Sequence, residues 1–205
     1  MVVAVIVALV VVLAGGNSDA GSPKAIAATM GAAGCTLSTS KAAPSAQHIS
    51  SLGSGDKVTY TMYPPVSGKH YYIPAIWNNY AQAVDPRQAV HNEEHGGVVI
   101  WFGPGVSASE RQKISDFYDE SPNAMLVTPI ENTATAVTYP KHAAPDSKIY
   151  LTAWTEEVKN GELVNGRNVS ATCPRFDEPA FKAFRDEFRG KGPERFPVSQ
   201  LTPGT

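Results

Sequence analysis

The stretch that most constrains this chain is Asp85 to Phe102, which reads DPRQAVHNEEHGGVVIWF. Asp85 is a good helix N-cap and Pro86 suits the first helical position, so a helix is expected to start there. Gly96 and Gly97 are expected to stop it by supplying the positive φ of a C-cap. Between cap and stop lie His91, Glu94 and His95. Histidines four apart share one helical face, close enough to hold one metal ion. Val98-Val99-Ile100-Trp101-Phe102 then forms a continuous apolar run, the pattern of a strand buried on both faces. The spacing therefore predicts two imidazoles on a short helix locked onto a core strand.

The chain of 205 residues suits one domain plus extras. Its net charge is −2 and no Lys/Arg cluster occurs, which argues against nucleic acid as a partner. Met1 to Ala14 is uncharged and rich in valine. It is shorter than the ~20 residues that span a bilayer comfortably. It suits the apolar core of a signal peptide or the remnant of a membrane anchor, so residues 1–16 are assigned that role. Residues 17–47 are dominated by Ala, Gly, Ser and Thr, with almost no aromatic side chain, and are expected to be a flexible linker. Cys35 and Cys173 are the only cysteines and lack metal-site spacing. In an exported chain they are expected to pair, pinning the linker to the C-terminal part.

The domain proper is assigned to residues 48–194, followed by a Gly/Pro-rich tail, 195–205. Val58 to Tyr63 alternates like a strand and Pro64-Pro65 ends it. Ser107-x-x-Glu110 matches a capping box, predicting a helix to about Glu120. Strands are expected at Ala124 to Pro129, Ala136 to Tyr139 and Lys148 to Glu156, with a turn at Asn160-Gly161. Pro179 opens a last helix whose Phe181, Phe184 and Phe188 recur at helical spacing. Helices and strands mix without βαβ alternation, so the fold class is α+β with a mixed or mostly antiparallel sheet.

There are five histidines. His142, in a Pro-flanked loop, reads as an ordinary surface residue. His70 arrives from a separate turn containing Ser67 and Gly68. With His91 and His95 it completes a three-imidazole set suited to zinc or copper and too nitrogen-rich for calcium or magnesium. His48 and Met62 are the further ligand candidates, and Glu94 a partner for an imidazole N–H. His91 to His95 also satisfies H-x-x-E-H, the signature of inverted zinc peptidases, in which Glu94 would be the general base. The glycines cut that helix short, so hydrolase chemistry ranks below metal binding. A third reading is an accessory subunit of an envelope membrane complex, with the histidines merely hydrogen-bonding and aromatic surface exposed around Trp77 and Tyr80.

Pro64-Pro65-x-Ser67-Gly68-x-His70-Tyr71, followed by Val90-His91-Asn92-x-Glu94-His95-Gly96-Gly97-Val98, resembles the bacterial domain-of-unknown-function family 3105. Thr128-Pro129, Thr152-Ala153-Trp154 and Gly192-Pro193-Glu194 agree with the same pattern, so the likeness runs from about His48 to Glu194. The resemblance implies an actinobacterial-type envelope protein behind one membrane anchor and implies no particular activity. The expectation is thus an exported, membrane-tethered domain outside the cytoplasm. It would hold copper or zinc through His70, His91 and His95.

Overall fold

The computed structural model describes residues 23–49, 55–130, 137–139 and 148–205. In chain order the elements begin with α1 (Pro23–Ala32), β1 (Thr36–Lys41), β2 (His48–Ile49), β3 (Val58–Thr59), β4 (His70–Tyr71) and α2 (Pro86–Glu94). They continue with β5 (Val98–Phe102), α3 (Ala108–Glu120), β6 (Met125–Pro129), β7 (Val137–Thr138), β8 (Ile149–Lys159), β9 (Glu162–Cys173) and α4 (Glu178–Phe188). A 3-10 turn at Val198–Gln200 closes the series. The apolar run Met1 to Ala14 and His142 lie outside the described residues. No helix among the described residues is long and apolar enough to cross a membrane.

The main sheet has the order β1-β9-β8-β5-β6. Within this sheet only the β5–β6 pair is parallel, joined through α3, and the other pairings are antiparallel. The fold is therefore α+β with a mixed, mostly antiparallel sheet, as the element pattern predicts. β5 is buried along its whole length because both faces are covered. Val98, Ile100 and Phe102 pack among Ile26 and Met30 of α1, Ile114 and Phe117 of α3, and Phe181 and Phe184 of α4. Val99 and Trp101 face the other way, into a cluster with Trp77, Ala89 and Leu126. The helix carrying His91 lies on that second face and is fixed there.

Residues 17–47 do not act as a linker throughout: from Pro23 on they build α1 and β1. The apolar content of α1 is modest, but Ile26 and Met30 are almost fully buried in the shared core. β1 needs few apolar side chains because its partner supplies the backbone ladder, Thr36 pairing with Thr172 through to Lys41 with Arg167. Next to that ladder, Cys35 and Cys173 form a disulfide. It ties the edge strand to β9 rather than a tether to the domain. β9 itself is polar and was not expected from the sequence; the Asn160-Gly161 turn folds it back on β8, both residues taking positive φ (54° and 83°) as a tight hairpin requires.

Candidate metal centre

Helix α2 forms as its ends dictate. The Asp85 carboxylate accepts from the Arg87 amide, and Pro86 occupies the first turn. At the other end only Gly96 has the expected positive φ, 99°. Gly97 serves a different purpose, since a Cβ there would lie 2.4 Å from the Trp77 ring and 2.9 Å from the Asn92 carbonyl. Asn92 clamps the preceding loop, its amide side chain accepting from Ala75 N–H at 2.9 Å and donating to Ala75 carbonyl at 2.8 Å. Trp77 is thus buried, not part of an exposed aromatic surface.

His70 is placed by its own turn. Ser67 Oγ accepts from the Ala43 amide, and Gly68 takes φ 119° with the Tyr60 ring packed against it. The Tyr60 hydroxyl donates to the Lys69 carbonyl at 2.8 Å. The Gly68 carbonyl then accepts from His70 Nδ1 at 2.7 Å. His91 is held in the same way, its Nδ1 donating to the Tyr71 carbonyl at 2.7 Å. A carbonyl only accepts, so in both neutral rings the proton sits on Nδ1 and Nε2 offers a lone pair. Orienting a ring through its far nitrogen is how proteins prepare a metal ligand.

β2 and β4 run parallel with His48 directly opposite His70, the rings 4.8 Å apart. One ligand atom from each of His48, His70, His91 and Glu94 lies within 4.8 Å of the others. Glu94 Oε2 stands 2.9 Å from His70 Nε2 and 3.4 Å from His48 Nε2. Ligands ~2.0–2.1 Å from a tetrahedral zinc stand about 3.3 Å apart, the order of the two Glu94 separations. Glu94 Oε1 is occupied, accepting from the Ala46 amide at 2.5 Å. His70 and Glu94 are fully buried, His91 is 4% exposed, and the His48 side chain reaches solvent. Yet His48 Nε2, His70 Nε2 and Glu94 Oε2 make no aligned hydrogen bond among the described residues. Buried polar atoms are ordinarily paired, and these three converge where one cation could serve them together.

His95 joins a second group with His91 and Glu194. Its Nε2 lies 2.9 Å from Glu194 Oε2, and both side chains are partly exposed. Glu194 is delivered by the segment after α4, which lies on the end of α2. Gly190 N–H donates to the Gly96 carbonyl at 2.7 Å and Glu194 N–H to the Glu94 carbonyl at 3.1 Å. A Cβ at Gly192 would sit 2.3 Å from Gly96 N, so only glycine permits the approach. The set His70, His91 and His95 expected from sequence is therefore divided, with His91 common to two groups and His48 and Glu94 entering the inner one. Met62 packs against the apolar cluster of Tyr60, Val66, Val90 and Trp154. Glu194 had no local signal, as it reaches His95 only through the tail.

The electrostatics suit neutral imidazoles. Burial pushes His91 and His95 down to about 4, with neighbouring histidines adding to the effect. For Glu94 burial opposes ionisation, but the His70 ring and the Ala46 amide outweigh it and hold the carboxyl below its ordinary range. Glu93, fully buried on the opposite side beside Thr152, is pushed well above that range by burial. The two adjacent glutamates are thus shifted in opposite directions, and Glu94 is the one whose surroundings favour the anion beside the cluster.

No curated protein and no solved structure matches the chain. The model of one family matches residues 52–199, which include His70, His91, Glu94, His95 and Glu194 but not Cys35 or His48. The chain belongs to that family, described as Protein of unknown function (DUF3105).

Proposed function

We propose that this chain is an exported, membrane-tethered domain that binds one zinc or copper ion through Nε2 of His48, His70 and His91 and Oε2 of Glu94. One observation carries the reading. Nδ1 of His70 already donates to Gly68, so a neutral ring there would turn only a lone pair toward the Glu94 carboxylate 2.9 Å away. Two acceptors at that distance need a cation. A proton on His70 Nε2 would satisfy that pair alone and draw nothing from the His91 lone pair. A metal ion satisfies all four. Three imidazoles and a carboxylate suit Zn²⁺ or Cu²⁺ and not the oxygen-seeking Ca²⁺ or Mg²⁺.

The hydrolase alternative gains no support from Glu94, whose Oε1 holds Ala46 and whose Oε2 faces two imidazoles, leaving no free base. Metal handling or a structural ion is the role proposed. The disulfide supports an oxidising compartment. Elemental analysis of the chain purified from its native compartment tests the ion, with about one Zn or Cu per chain expected. Protease added to intact spheroplasts tests the location: digestion is expected, and full protection contradicts export.

A further inference from the structure

His91 belongs to both metal-competent groups, and this has a chemical consequence. Its Nδ1 is committed to the Tyr71 carbonyl at 2.7 Å, so a single lone pair on Nε2 serves both sides. The His91 ring is 5.0 Å from His70, 4.9 Å from His48 and 4.4 Å from His95. The two groups also differ in access. The inner one is almost wholly buried apart from His48, whereas the His95 and Glu194 side chains are 15% and 32% exposed.

Resting on the metal reading above, we infer that His95 and Glu194 form an outer metal-binding station from which the ion passes to the inner site through their shared ligand, His91. Because one lone pair cannot bind two ions, the two positions are occupied alternately and the chain holds one ion. In the outer position the ion takes His95, Glu194 and His91. It moves inward by keeping His91 while His70 and Glu94 replace His95 and Glu194, so its charge is unchanged and it is never stripped of all protein ligands. Before ligation His95 uses Nε2 to donate to Glu194; on metal entry that proton moves to Nδ1 through solvent, and the ring stays neutral. The architecture of the tail serves this placement. Two glycines, Gly96 and Gly192, let the backbone carrying Glu194 lie directly on the end of α2.

The test is stopped-flow loading of the full chain with Zn²⁺ or Cu²⁺, and release to a chromophoric chelator, alongside equilibrium titration. Glu194→Gln and His95→Gln are compared with the parent, and an unchanged circular dichroism spectrum and urea midpoint of the metal-free chain certify that each variant is folded. Loading and release slowed about tenfold at unchanged affinity, or ~1.4 kcal/mol on the barrier, is the expected result. Unchanged rates in both variants overturn the station, as does a stoichiometry of two ions per chain. Loss of equilibrium binding in both variants overturns it too, making His95 and Glu194 part of the resting site. A parent chain that takes up neither ion overturns the metal reading itself, a result distinct from the others.

Discussion

His70 and Glu94 face each other across 2.9 Å, both fully buried, with Nδ1 of the histidine already given to a backbone carbonyl. Each residue is over-determined by its surroundings: the turn at Gly68 orients the ring, and the Ala46 amide fixes the carboxylate. Glu94→Gln keeps the shape and removes the negative charge. It should weaken metal binding by at least about 10–100-fold, the range found for the outer partners of ligands. Binding within threefold of the parent, measured by competition with a chelator, would exclude Glu94 from the site.

Backbone contact places the second group. Gly192→Ala would put a methyl against the backbone of Glu94 and Gly96, which cannot move aside as a side-chain tip could. The tail should lift, separating Glu194 from His95 and costing about 2–3 kcal/mol of stability. Gly161→Ala, with open space at the Cβ position but φ 83°, controls for backbone strain alone. Urea denaturation of the two proteins should place Gly192→Ala well below Gly161→Ala.

The disulfide closes a loop with a sequence separation of 138 residues. Chain-entropy reasoning gives an upper bound of ~4–5 kcal/mol for such a loop. A thiol count on the unfolded, unreduced chain should be near zero. Replacing both cysteines with serine should release α1 and β1 first, seen as faster amide exchange at Thr36–Lys41 than in β8. Uniform exchange across both strands would show that the bridge does not hold the edge.

Stability of the metal-free chain should depend on pH with opposing contributions. His91 and His95 sit at about 4 in the folded chain, below the ordinary 6.5, so the unfolded chain binds more protons in that window. Their contribution is complete above pH 6.5 and is lost as pH falls toward 4. Glu93 is raised by burial, so its contribution is complete below pH 4.5 and is lost as pH rises toward its folded value. Above pH 6.5 only the Glu93 effect remains. Glu93→Gln should therefore be at least as stable as the parent at pH 7.5, in the presence of a chelator. A large loss there would mean that Glu93 is ionised and paired.

Much of this was legible because local chemistry and tertiary structure agree along Asp85 to Phe102. Cap, stop and apolar run each lie within a few residues of what they control. The inner site was half legible. His91 and Glu94 are three apart on a helix, but His48 meets His70 only through a two-residue parallel pairing that no local pattern marks. Glu194 reaches His95 by backbone contacts of glycines far along the chain. The stretch after Pro23 read as a linker because its Ala, Ser and Thr carry little apolar surface. Its order comes from Ile26 and Met30 in the core, the β9 ladder and the disulfide. β9 carries little local signal for a related reason: its outer half is largely exposed, and its partners, not its own pattern, make it a strand.

The most direct test of the central claim is calorimetric titration of the metal-free chain with Zn²⁺ and Cu²⁺, repeated on His91→Ala and His142→Ala. The account predicts one ion per chain for the parent, loss of stoichiometric binding in His91→Ala, which removes the ligand common to both groups, and unchanged binding in His142→Ala. A His91→Ala chain that binds as tightly as the parent would contradict it.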